Sequence, residues 1–118
     1  MSNIKRLNPG NTVNRRLLHL AADERGHRDM VALLLSNRAK VDEKDYSGLT
    51  PLHIAAKRQN EEVALELISQ GADINAVDNR GETPLFKVAE SSSGSAEIAS
   101  LLLDHGANIS ARGSGVRI

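Results

Sequence analysis

Four histidines, His19, His27, His53 and His105, are the side chains of this chain best suited to metal or proton chemistry. No two stand at the i, i+4 spacing that sets a pair of imidazoles on one helical face for zinc, and there is no His-Glu-x-x-His. Cysteine is absent, which removes thiolate zinc sites, iron–sulfur clusters, disulfides and a cysteine nucleophile. The stretch from Asp73 to Gly81 has the acidic and amide residues of a calcium loop. Val77 stands where its third oxygen ligand is needed, however, and no bidentate glutamate follows at the right distance. Gly113-Ser114-Gly115 fits neither a phosphate-cradling loop nor a nucleophile elbow, which need more glycines at other spacings. Ser91-Ser92-Ser93 reads as a flexible connection. No Ser–His–Asp set and no carboxylate pair is suggested by position. The expectation is therefore a chain that is not an enzyme, with no catalytic residue, no metal and no cofactor.

Composition narrows the partners. The chain has 118 residues, 40% hydrophobic and 25% charged, which suits one soluble globular domain. Lys+Arg and Asp+Glu are both 15, so no net field draws it to nucleic acid or an anionic membrane. Its only aromatic residues are Tyr46 and Phe86, too few for a base-stacking platform. No apolar run approaches the roughly 18 residues of a membrane span. No apolar run follows the basic N-terminal residues as it would in a secretory signal. The expected partner list holds no nucleic acid and no membrane. The expected localisation is cytoplasmic, with the nucleus also open.

The elements that must position these residues follow from self-similarity. Gly48-Leu49-Thr50-Pro51-Leu52-His53 recurs 33 residues later as Gly81-Glu82-Thr83-Pro84-Leu85-Phe86. Gly71-Ala72-Asp73-Ile74-Asn75-Ala76 recurs 35 later as Gly106-Ala107-Asn108-Ile109-Ser110-Ala111. Arg16-Leu17-Leu18-His19-Leu20-Ala21-Ala22 precedes Thr50 to Ala56 by 34. The unequal offsets place insertions within 23–27 and 90–97, both between the helical segments of a unit, where added residues cost little. Within a unit, Thr50 and Thr83 are N-caps with proline at the first helical position. Apolar residues at spacings of 3 and 4 mark a second helix, and Gly71 and Gly106 end it in the left-handed conformation. Helices are predicted near 16–23, 29–37, 50–58, 61–70, 83–90 and 95–105.

A 33-residue period built on Gly-x-Thr-Pro-Leu-His-x-Ala-Ala, a Leu/Ile-rich second helix and Gly-Ala-Asp-x-Asn-Ala-x-Asp resembles the ankyrin repeat. The resemblance implies an all-α solenoid of three stacked helix-turn-helix units with short β-hairpin-like fingers. The boundaries are an N-terminal cap at 1–10, repeats at 11–45, 46–78 and 79–112, and a stub at 113–118. Ile4 and Leu7 are expected to fold over repeat one. Repeat three is expected to be the weak, apolar end, through Val88, Leu101 and Leu102. The resemblance also implies that His19 and His53 bond to the backbone of the neighbouring finger. Three departures stand out: Arg16-Leu17 in place of Thr-Pro, Phe86-Lys87 after the third Thr-Pro-Leu, and Glu66 where an apolar residue is usual.

Ankyrin repeats ordinarily bind proteins through finger tips and the inner edge of each first helix. Carried over by motif, the partner-binding residues are Arg15 in repeat one, Tyr46, Ser47, Leu49, Lys57 and Arg58 in repeat two, and Asn79, Arg80 and Glu82 in repeat three. Thr12, Val13, Asp23, Glu24, Arg25, Glu90 and Ser91 flank them. The expected function is a non-catalytic protein–protein interaction module with a concave binding face. The alternative is a structural spacer, or an excised piece of a longer array, with no partner of its own. Weak self-association through the uncapped C-terminal repeat is a further expectation.

Overall fold

A computed structural model describes residues 17–23, 28–91 and 96–109. Among these residues there are six helices and no strand: α1 (17–23), α2 (Arg28–Ser36), α3 (Pro51–Arg58), α4 (Glu61–Ser69), α5 (Pro84–Glu90) and α6 (Ala96–Asp104). Every described helix end lies within one residue of its expected position. The Ile4 and Leu7 cap, residue 16, most of both insertions and the stub lie outside the described residues.

Consecutive helices pair within a repeat, α3 with α4 and α5 with α6. Repeats then stack in two layers, α3 on α5 and α2 on α4 on α6. The seam of the inner layer is made of small residues: Ala21 and Ala22 on α1, Ala55 and Ala56 on α3, all buried. Alanine there lets helix axes approach without opening voids. Leu18, Leu52, Val31, Val63, Leu67, Ile98 and Leu102 fill the space between the layers.

The helix ends are satisfied locally. Thr50 Oγ1 accepts from the His53 amide and Thr83 Oγ1 from the Phe86 amide, each with proline at the next position. Asn60 caps α4, and its Nδ2 donates to the Ala22 carbonyl of the preceding repeat at 3.1 Å. Gly71 and Gly106 leave their helices with φ of 94° and 99°. Arg38 does the same in repeat one with φ 79°, a conformation that costs a non-glycine residue about 1–3 kcal/mol. In all three repeats the alanine that follows returns its amide to the helix five residues back: Ala39 to Leu34, Ala72 to Leu67, Ala107 to Leu102.

The apolar ends differ from expectation. Val88 and Leu102 are buried and Leu101 is half-buried, because these positions point into the core or back toward repeat two. Among the described residues, repeat one exposes four large apolar side chains (Leu17, Leu20, Met30 and Leu33), and repeat three exposes two, Leu103 and Ile109.

Candidate interaction surface

Two fingers are built the same way. Asp45 Oδ1 accepts the amides of Ser47 and Leu49, both at 2.9 Å. Asp78 Oδ1 accepts those of Arg80 and Glu82, also at 2.9 Å. The tips close through Gly48 and Gly81, at φ 79° and 75°. The fingers also hold each other. The Asn79 amide donates to the Ser47 carbonyl, and its Nδ2 donates to the Tyr46 carbonyl, both at 3.0 Å. A Cβ on Gly48 would lie 2.4 Å from Asn79 Oδ1, so this close approach needs glycine. Nearer the helices, the Asp42 carboxylate accepts the Asp73 amide, and one repeat later Asn75 Oδ1 accepts the Asn108 amide at 2.8 Å.

His19 and His53 anchor helices to fingers. Nε2 of His19 meets the Leu49 carbonyl and Nε2 of His53 the Glu82 carbonyl, both at 2.8 Å. The Thr50 amide donates to Nδ1 of His53 at 3.0 Å, so the neutral Nε2–H form is the one that satisfies both partners. Burial pushes the His53 imidazole below its ordinary range, against the opposing pull of the Glu82 carbonyl.

In repeat three Phe86 takes the histidine position, and a buried ion cluster forms beside it. Lys87 Nζ lies 2.9 Å from Asp78 Oδ2 and 2.6 Å from Glu82 Oε1. Burial works against charge on Lys87, but the two carboxylates outweigh it and raise the ammonium above its ordinary value. Burial likewise works against charge on Asp78, and the Glu82 amide and Lys87 outweigh it to hold the carboxyl low. The sequence offered one signal for this cluster: Lys87 falls where repeat two has Ile54, and Glu82 where it has Leu49.

The expected contact residues separate into groups. Tyr46, Ser47 and Asn79 form one exposed tip, with Arg80 exposed next to it. Leu49 is half-buried below them. Lys57 and Arg58 are exposed in the last turn of α3, and Arg58 pairs with Asp23 of repeat one. Glu90 is exposed, and half-buried Ser91 accepts from Gln59 Nε2 at 2.9 Å. Glu82 departs from expectation: its carboxylate is buried against Lys87 rather than presented at the surface. Arg15, Thr12, Val13, Glu24 and Arg25 lie outside the described residues. Glu66 is half-buried and paired: Arg28 Nε donates to its Oε1 and Gln70 Nε2 to its Oε2, each at 2.9 Å. Those hydrogen bonds, from Gln70 and from Arg28, hold its carboxyl below the usual range.

Among the described residues no group of three or more His, Asp or Glu could hold a metal ion, and no helix is long and apolar enough to cross a membrane. A profile of the family described as ankyrin repeats (3 copies) matches residues 4–113. The chain belongs to the ankyrin repeat family. It is 38% identical over 99 residues to the mouse B-cell lymphoma 3 protein homolog, covering 80% of this chain and 22% of that protein. It is 33% identical over 100 residues to human ankyrin repeat and SOCS box protein 11, covering 80% of this chain and 30% of that protein. With human ankyrin repeat and KH domain-containing protein 1 the identity is 37% over 89 residues, 74% of this chain and 3% of that protein. The chain thus spans less than a third of the length of each. Ankyrin repeats are in general protein-interaction modules and not catalysts.

Proposed function

We propose that this chain is a non-catalytic protein-binding ankyrin domain, with repeats at 11–45, 46–78 and 79–112, that meets its partner through finger tips and inner helices. The observation that carries this reading is Tyr46, which is 97% exposed on a finger fixed by six hydrogen bonds that involve Asp45, Gly48 and Asn79. A large aromatic held ready on a rigid loop loses little conformational entropy on binding, and tyrosine and arginine are over-represented among binding hot spots. Leu49 extends the apolar anchor. Lys57 gives it a mildly basic rim, together with Arg80 and Arg58, each of which also stands beside a carboxylate, Glu82 at 3.9 Å and Asp23. The complementary partner carries an apolar residue flanked by acidic ones.

A randomised peptide library panned on the immobilised chain tests this. Selected peptides should carry that pattern and lose about 1–3 kcal/mol of affinity for Tyr46→Ala. Arg80→Glu should mainly slow their association and change its salt dependence. Peptides that bind a variant with alanine at Tyr46, Leu49, Arg58 and Arg80 as well as the parent would move the binding face elsewhere. A library yielding no binder would favour the spacer role.

A further inference from the structure

The outer helices carry charge unevenly, although the chain as a whole is balanced. Among the described residues, α2, α4 and α6 hold six carboxylates (Asp29, Glu61, Glu62, Glu66, Glu97 and Asp104) against one base, Arg28. Where α2 packs on α4, that base is used: Arg28 Nε lies 2.9 Å from Glu66 Oε1. At the next seam the repeat offsets put Glu61 in the place of Arg28 and Leu101 in the place of Glu66. That seam, between α4 and α6, holds an open groove of about 430 Å³ lined by Glu61, Ala96, Glu97, Ser100, Leu101 and Asp104.

The groove has an ordered charge pattern. Glu97, Ser100, Leu101 and Asp104 stand at i, i+3, i+4 and i+7, one stripe down α6. Glu97 and Asp104 bracket it about 10 Å apart along the axis, with half-buried Leu101 between them. Glu61 opens α4 as Ala96 opens α6, so two carboxylates stand at one end of the stripe and one at the other. All three are exposed, and among the described residues no lysine or arginine pairs with Glu61 or Asp104. The groove lies between two repeats, so a further repeat would pack on the far side of α6 and leave it uncovered. Residues 92–95, which lead into α6, carry no charge. After α6 the chain is fastened away from the groove, onto the segment that runs from α4 into a finger. Asn75 Nδ2 donates to the Gly106 carbonyl at 3.2 Å, and Asn75 Oδ1 accepts the Asn108 amide.

We propose that the groove between α4 and α6 is a second docking site, which receives a basic segment of a partner protein. Two arginine or lysine side chains about 10 Å apart meet Glu61 with Glu97 at one end and Asp104 at the other, and an apolar residue between them covers Leu101. Two residues three apart on an extended segment span that distance. The molecule itself shows the fit, since the equivalent place between α2 and α4 is filled by a guanidinium from within. At the second seam the chain supplies a carboxylate in that place, so the cation comes from outside. Complementary charge of this kind speeds encounter and suppresses wrong partners. The site uses none of the finger-tip residues and is independent of that reading.

The probe is the peptide acetyl-Gly-Arg-Leu-Ala-Arg-Gly-amide, titrated into the isotope-labelled full chain and followed by amide chemical shifts. Shifts should concentrate at 60–62 and 96–105, leave the finger tips at 45–49 and 78–82 unmoved, and weaken as salt rises. The same peptide with glutamate for both arginines should produce none of them. Glu61→Arg gives repeat two the cation of repeat one, and Asp104→Lys places a cation where a helix end favours it. Each should weaken binding and the pair should abolish it, with helicity by circular dichroism unchanged. Shifts that never appear, fall elsewhere or survive the double variant would overturn the proposal. So would shifts seen only in the full chain carrying Arg112→Ala and Arg117→Ala, which would make the groove the seat of the chain's own arginines. The same shifts with calcium chloride alone would make it a cation site instead.

Discussion

Repeats two and three solve one structural problem with different chemistry. Each must tie the start of its first helix to a finger. Repeat two does it with a neutral histidine: His53 accepts from the Thr50 amide and, with Nε2, reaches across to the Glu82 carbonyl of the next finger. Repeat three has Phe86 there and instead draws its own finger inward with a buried cation, Lys87, between Asp78 and Glu82. The histidine link reaches forward to the next finger, and the ion cluster ties α5 to the finger just before it. The first depends on a side chain staying neutral, the second on three staying charged, so the two should fail differently.

The largest effect is expected at the cluster. Lys87→Met leaves two buried carboxylates without their cation and should cost about 3–5 kcal/mol of stability in urea unfolding. The double change Lys87→Ile with Glu82→Leu copies the pair that repeat two carries, Ile54 and Leu49, and should recover most of that loss. Asp78 would then be held by finger amides alone, as Asp45 is. A double variant no more stable than Lys87→Met would show that the cluster does something the apolar pair cannot.

His53→Phe gives repeat two the residue of repeat three without its cluster. The Glu82 carbonyl loses its donor in a buried setting, at a cost of about 1–3 kcal/mol. The pH response sharpens the contrast. The folded state holds the His53 imidazole below its ordinary 6.5, so below that pH the unfolded chain binds a proton that the folded chain resists. Stability contributed by the neutral histidine is full above pH 6.5 and lost as pH falls toward the folded value. His53→Phe should remove that part of the decline while leaving the steeper loss in stronger acid. There Asp78 and Glu66, both held low, are protonated. An unchanged pH profile below 6.5 would mean that His53 contributes nothing to it.

The smallest effect is expected at the seam pair of repeats one and two. Arg28 is half exposed, so Glu66→Gln should cost only about 0.2–1 kcal/mol, less at high salt. A loss above that range would mean that the pair holds the seam together beyond its Coulombic attraction.

Much of this architecture was legible in the residues. Threonine caps, proline at N1, glycine after the second helix and alanine on the inner seam each act over a few residues. Their physics survives in one dimension, which is why the helix ends fell within a residue. Arg38 was harder to read as a helix end, since its left-handed backbone is imposed on a residue that does not favour it.

Side-chain fate across the chain was another matter. The family resemblance put Glu82 at an exposed tip, and the sequence left open whether Glu66 had a partner. Both outcomes turned on residues 5 and 38 positions away, Lys87 and Arg28. The pairing of Arg58 with Asp23 of repeat one, 35 positions away, was not legible either. By itself the sequence determined the repeat, its period and its local caps, because those depend on contacts between near neighbours. Only the tertiary structure decided which charges are withdrawn, which are paired and which apolar side chains are covered. Those outcomes depend on where stacking brings distant side chains and removes water from around them.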